Sequence, residues 1–332
     1  MTFTTKNQPN LSSTETIFSG VTIQGVTPSS TFLRIYNLAK GYTSGGWNSY
    51  TSVNNIDSFP FATNSNAADV GDLPGIFHYG AGNSSITSGY NTTGRDGSTA
   101  KSSIDKFPFA SNANATTVGN VTVGRYGASG TNSSVSGYAA GGRRSTAPAG
   151  STNIIDKFPF ASDGNSTDVG DLFEIRFYTA GQTSSTHGYT SVGDSTNAYI
   201  DKFPFASNSN ASFVGNISPF VYSTTGIHSS DHGYVAGGED TPSFVKTARI
   251  DRFPFSTDSN SSNIGNLTVA RKTATGISSN SYGYVSGGMS PAEPPVGFGT
   301  NIIDRFLFSA SVSATDVGDL TVGRYSGSSQ QG

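Results

Sequence analysis

Six near-copies of one segment, held at fixed spacing, constrain what this chain can become. They read IDSFPFATNSNAADVGD, IDKFPFASNANATTVGN, IDKFPFASDGNSTDVGD, IDKFPFASNSNASFVGN, IDRFPFSTDSNSSNIGN and IDRFLFSASVSATDVGD. A Gly-Tyr pair precedes each, with the Tyr at 42, 90, 138, 189, 234 and 284. From the Asp of each Ile-Asp pair (Asp57, Asp105, Asp156, Asp201, Asp251, Asp304) to the Gly of the following Val-Gly or Ile-Gly is 14 residues in all six copies. From that Gly to the next Gly-Tyr is 18 residues in all five internal intervals. Only the stretch from the Tyr to the following Ile varies, at 14, 14, 17, 11, 16 and 19 residues. A fixed interval marks strands whose register is held by packing, because a one-residue slip turns every side chain to the wrong face. A variable interval marks a surface loop, where insertion costs little.

Within one repeat, GYAAGG (137–142) predicts a short strand ending in a glycine pair. IIDKFPFA (154–161) and TTVGNVTV (116–123) predict two more, rich in β-branched and aromatic residues. RYGASG (125–130) predicts a fourth strand of small residues, and SNAN or SDGN segments are turns. No stretch carries an i, i+3, i+4 apolar stripe, so no helix is predicted. Four short strands, repeated six times at 45 to 53 residues, predict an all-β chain. The expected fold is a six-bladed β-propeller of four-stranded antiparallel blades.

Composition supports an aromatic core. Twelve of the 22 Phe stand in the Phe-Pro-Phe or Phe-Leu-Phe step of the six copies. Two residues apart on a strand, these rings point the same way and are expected to fill the gap between blades. Pro cannot donate to a ladder, so it marks a strand end or a bulge. A net charge of −3 with 12% charged residues leaves no footprint for nucleic acid. No apolar run is long enough to span a membrane as a helix. There are no cysteines, which removes thiolate metal sites, disulfides and Cys nucleophiles.

The order Arg, small strand, Gly-Tyr-x-x-Gly-Gly, variable loop, Ile-Asp strand, turn, Val-Gly, then Arg again resembles the kelch repeat of galactose-oxidase-type β-propellers. GYAAGG, GYVAGG, GYVSGG, the six Ile-Asp pairs and Arg125, Arg176, Arg271 and Arg324 carry the resemblance, over roughly residues 38–332. The chain departs from it where Val or Ile replaces the kelch Trp, in GYTSVG, and where Phe77 and Val221 replace the Arg. The wording of the repeats is also loosely similar to repeat proteins of marine bacteriophage virions. The copper site and Cys–Tyr crosslink of galactose-oxidase-like propellers are excluded by the lack of Cys. No catalytic residue, cofactor or metal site is expected. His187 and His232 precede Gly-Tyr in successive copies and read as repeat drift rather than a ligand pair.

Residues in every copy read as structural. The six Asp are expected to accept backbone N–H groups of an adjoining turn. Arg125, Arg176, Arg271 and Arg324 are expected to tie neighbouring blades near the axis. The last copy ends too early to complete another interval, so Arg324–Gly332 is expected to supply the innermost strand of the first blade. TFLRIYN (31–37) is the alternative. Residues 1–37 are then an N-terminal arm, with 16–26 as a strand candidate, and 38–332 the ring. The variable loops collect the unusual residues, so the binding face is expected at Trp47, Tyr50, Arg95, Arg143, Arg144, Tyr199, Asp240, Phe244 and Phe298, beside Asp194 and Glu293. The expected function is a non-enzymatic virion structural and binding protein, on capsid or tail. It would bind other virion proteins through residues 1–37 and a host-surface glycan or receptor through the loop face. The alternatives are a secreted bacterial adhesin or carbohydrate-binding propeller at the cell surface, and a propeller glycan hydrolase or lyase.

Overall fold

The computed structural model describes residues 39–48, 50–146, 150–193, 198–241, 243–291 and 299–332. The expected arm (1–37) and its strand candidates, together with Asp194, Glu293 and Phe298, lie outside the described residues. The repeats form six four-stranded antiparallel sheets set as blades around an axis, with no helix among the described residues. In the third blade, from the axis outward, the strands are Ser129–Asn132, Ser136–Ala140, Ile154–Pro159 and Thr167–Asp171. The inner strands of the second, fourth, fifth and sixth blades are Ala81–Ser84, Ala180–Thr183, Thr225–His228 and Thr275–Ser278. The first blade takes its inner strand, Ser328–Gln331, from the C-terminal end, paired antiparallel with Lys40–Ser44. One sheet therefore holds both ends of the ring together.

Three glycine and bulge features explain the fixed spacing. Inner-strand glycines sit against the backbone of the preceding blade. A Cβ on Gly130 would lie 2.0 Å from the Gly82 carbonyl oxygen, and one on Gly181 2.2 Å from that of Gly130. A Cβ would collide with backbone at this place in five blades, the first blade carries Ser329 at the equivalent position, and the blades meet closely at the axis. The second glycine after the Gly-Tyr strand, such as Gly142 at φ +105°, takes a backbone that L residues rarely adopt. The first tolerates Thr93 and Val192 in the left-handed region, which is how GYTSVG keeps the turn. Register shifts fall between Ile and Asp in all six copies, because the outer strand bulges opposite that step with one extra residue, such as Val169.

At that step the Asp reaches the crossover entering its blade. Asp156 accepts from the Arg125 guanidinium at 2.6 Å, from Thr122 Oγ1 at 2.8 Å and from the Thr122 N–H at 3.2 Å. Arg271–Asp304, Arg324–Asp57 and Arg176–Asp201 repeat the ion pair. Each Arg also donates to a second-strand carbonyl, as Arg125 does to Ala139 and Arg324 to Thr43. Asp57, Asp156, Asp201 and Asp304 accept a crossover N–H, but the Arg placement needs correction. Each Arg fastens the incoming crossover to the blade it enters, and neighbouring blades meet at the axis through inner-strand backbone instead. In the second blade Phe77 replaces the Arg, and buried Asp105 relies on Thr117 at 2.6 Å and Ser103 at 3.0 Å. Burial raises the pKa of Asp105 above its usual value, with those two hydroxyls opposing. In the fifth, Val221 replaces it and Asp251 pairs with Arg249 of its own strand.

The expected small-residue strand is also displaced. It starts at Ser129 rather than Arg125, because Arg125 is drawn into the clamp and Gly127 turns the chain at φ +67°.

Between blades, the Phe-Pro-Phe rings of one blade grip the Gly-Tyr ring of the preceding one. Tyr42 stacks on Phe109 at 4.9 Å and meets Phe107 at 5.5 Å, and Tyr138 repeats this with Phe205 and Phe203. All six seams close this way, the sixth through Tyr284 on Phe61 and Phe59. Each fully buried Phe contributes roughly 2–3 kcal/mol, and each ring pair about 1 kcal/mol more. At the rim, the turn Asn of one blade accepts from the outer strand of the blade before it, as Asn114 does from the Asp72 N–H at 3.0 Å and Asn165 from Asn120 at 2.9 Å. Such links cover outer-strand edges that would otherwise be open to pairing.

Candidate functional site

The inner strand of the second blade begins beside the end of its second strand, with Ala81 opposite Thr92. The variable connection leaves from Thr92, so variable loops and crossovers share one end of the ring. There the chain takes a second fixed geometry. The residue after each Arg position pairs through its backbone with the residue after the glycine pair. Tyr126 and Arg143 exchange N–H···O bonds of 3.0 and 2.8 Å, His78 and Arg95 of 3.1 and 2.9 Å, Trp47 and Tyr325 of 2.8 and 3.0 Å, and Lys272 and Met289 of 3.1 and 2.8 Å. Tyr222 opposes Glu239 in the same way. The partner expected for Phe177, Asp194, lies outside the described residues.

One residue further on stands a ring of six left-handed residues at the axis: Tyr79, Gly127, Tyr178, Ser223, Thr273 and Ser326, with φ between 51° and 67°. Backbone hydrogen bonds run head to tail along it. The Tyr79 N–H donates to Ser326 at 2.8 Å, Gly127 to Tyr79 at 2.8 Å, Thr273 to Ser223 at 2.7 Å and Ser326 to Thr273 at 2.7 Å. The backbone of this rim is therefore held rigid while its side chains differ from blade to blade.

Those side chains are not scattered. Rings of Tyr79, Tyr126, Phe177 and Tyr178 meet at 4.3 to 6.4 Å. His78 joins Tyr79 at 5.1 Å and Trp47 at 5.0 Å edge-on. Arg95 lies over Tyr126 at 5.0 Å and Arg143 over Phe177 at 5.2 Å. The result is an arc of aromatic rings and two guanidinium groups over the first four blades. Opposite stands a charged set, in which Lys272 pairs with Glu239 at 2.6 Å and Tyr222 donates to the same carboxylate.

Electrostatics follow burial. His78 shares a hydrogen bond of 2.9 Å with the Ser52 hydroxyl. Burial first, then Arg95, pushes its pKa down to about 4. Burial and then the neighbouring Tyr79 hydroxyl push Tyr178 up. Burial and then Glu239 do the same to Tyr222. These groups keep one protonation state across the neutral range.

Of the residues expected to bind, Trp47, Arg95 and Arg143 are in the arc. Arg144 follows Arg143 in a two-stranded hairpin paired with Gly150–Ser151. Tyr199 groups with Phe173 and Phe213 at 6.0 and 5.2 Å on the outer half of the fourth blade. Tyr50 and Phe244 are exposed loop tips, and Asp240 accepts from Val245 and Ser243 within its own turn. Loop length therefore misses His78, Tyr79, Tyr126, Phe177 and Tyr178, which lie inside the fixed 18-residue interval, and Tyr325, which stands at the place after the last Val-Gly equivalent to His78. Their signal is variable identity at invariant spacing. Among the described residues no cluster of three or more His, Asp or Glu could hold a metal ion.

No family model matches the chain, and no curated protein matches it. Among solved structures it is similar to the one titled "Structure of YjhT", at 14% identity and a TM-score of 0.60, covering 77% of this chain and 88% of that one. At that identity the likeness shows the propeller fold.

Proposed function

We propose that this propeller is a non-enzymatic binding module whose rim holds a glycan. One observation carries the reading: a backbone rim held by repeated hydrogen bonds bears different side chains in each blade, and its aromatic members gather in one arc with Arg95 and Arg143. Aromatic faces suit the C–H faces of a sugar ring, and guanidinium donors suit its hydroxyls. In the arc and the set opposite, His78 is bonded to Ser52 and Glu239 to Lys272 and Tyr222, which favours binding over acid–base chemistry by these two groups. An oligosaccharide array tests it. The wild type is expected to bind, Trp47→Ala and Arg95→Ala to weaken binding at least tenfold, and Tyr50→Ala and Phe244→Ala to leave it unchanged. Equal losses at the loop tips would overturn the rim as the site.

The wording of the repeats supports a place on a virion, with residues 1–37 meeting a neighbouring capsid or tail protein and the rim facing a host-surface glycan. Mass spectrometry of purified virions that lacked this chain would overturn that placement.

A further inference from the structure

We infer that the opening on the propeller axis is a subsite for the neutral, hydroxyl-bearing arm of a chain-terminal sugar, so that glycans are held by their ends. The inference rests on the rim reading above and specifies its ligand.

The opening encloses a cavity of about 110 Å³. Its wall is made only of Tyr, Ser, Thr, Gly and Ala residues. The rings of Tyr79 and Tyr178, 4.8 Å apart, form one side. Hydroxyl-bearing Ser223, Thr273 and Ser326 stand on the other. Ser and Thr hydroxyls both donate and accept, so a wall rich in them is complementary to a group that does the same. Below, the inner-strand glycines bring the blades together, and the channel narrows to a second cavity of about 30 Å³. A polymer cannot thread through it.

Size and charge then select the occupant. Ligand pockets for whole small molecules run from roughly 300 Å³ upward, so this cavity admits an arm rather than an entire sugar unit. No Asp, Glu, Lys, Arg or His lines it, so a carboxylate or phosphate would enter without a counter-charge. Arg95 and Arg143 stay outside, over Tyr126 and Phe177. A hydroxymethyl or short polyol arm fits the opening while its ring rests on the aromatic arc.

The repeat itself supplies a clean test. Ser326 sits at φ 58°, and the equivalent residues Tyr79 and Tyr178 hold tyrosine at φ 57° and 58°. Ser326→Tyr therefore places a side chain the scaffold already carries twice, and fills the opening. Its binding is measured on an array of neutral and uronic-acid-terminated oligosaccharides, beside the wild type and Arg95→Ala, with melting temperature as the fold control. The expected result is a wild type that prefers neutral ends, and a Ser326→Tyr variant that melts normally and binds at least tenfold more weakly. Full binding by a folded Ser326→Tyr, with Arg95→Ala weakened, overturns this inference and leaves the rim reading standing. So does equal binding of acidic and neutral ends. A wild type that binds no glycan overturns both.

Discussion

Replacing Asp156 by Ala should unfasten one crossover, and the fold contains its own control. In the third blade the Asp156 carboxylate takes the Arg125 guanidinium, the Thr122 hydroxyl and the Thr122 N–H. Both charged side chains are fully buried. Burial already works against the charge on Arg125, and Asp156 is the largest opposing influence. Removing the carboxylate leaves a guanidinium in the interior with no counter-charge, a loss of about 3–5 kcal/mol. Asp251 occupies the same repeat position in the fifth blade, but its partner Arg249 is about a third exposed and lies on the same strand. When Asp251 becomes Ala, Arg249 can turn to water, and the loss should stay near 1 kcal/mol. Urea unfolding followed by circular dichroism measures both, with midpoints converted through a common slope. At about 2 °C per kcal/mol for a chain this long, the melting temperatures should differ by roughly 4–8 °C. Equal losses for the two variants would refute the clamp, because the stranded buried arginine and the lost Thr122 bonds both make the Asp156 loss the larger.

Three further outcomes follow from the same contacts. Gly130→Ala places a Cβ 2.0 Å from a backbone oxygen of the preceding blade and should cost about 3 kcal/mol or prevent folding, whereas Gly164→Ala, with open space around it, should melt within about 1 °C of wild type. Tyr138→Ala removes the ring gripped by Phe203 and Phe205 and should cost about 3–5 kcal/mol in the same urea assay. His78 has a pKa of about 4 in the fold against an ordinary 6.5. The unfolded chain therefore binds the proton first, so its contribution is intact above pH 6.5 and is lost as pH falls toward 4, by up to about 3 kcal/mol. His78→Phe, a ring type the equivalent Phe177 already provides, should flatten that part of the pH–stability curve, read by thermal melts between pH 4 and 7.

Much of this architecture is legible because packing at the seams is repeated. Gly-Tyr and Phe-Pro-Phe stay in register since each Tyr must meet two Phe of the next blade, and the invariant 14- and 18-residue intervals record that requirement. The bulge opposite Ile-Asp was not legible, because its extra residue, such as Val169, is present in all six copies and leaves the 14-residue interval constant. The same holds for the inner strand, whose start depends on how Arg125 and Gly127 bend the crossover. The binding rim was half legible. Trp47, Arg95 and Arg143 sit in loops whose lengths vary, and length drew attention to them. Tyr79, Tyr126 and Tyr178 sit where length never varies, and comparison of the six copies position by position is what separates them from the structural residues. Loop length also drew attention to Tyr50 and Phe244, which stand exposed outside the aromatic arc.

Trp47 is the only tryptophan in the chain and stands in the aromatic arc, so its emission reports directly on the rim. The most direct measurement is a titration of an array-identified oligosaccharide followed in parallel by calorimetry and by Trp47 fluorescence. Binding at the rim predicts a saturable change in emission with the calorimetric midpoint. Heat of binding with unchanged emission would place the ligand elsewhere and contradict the account.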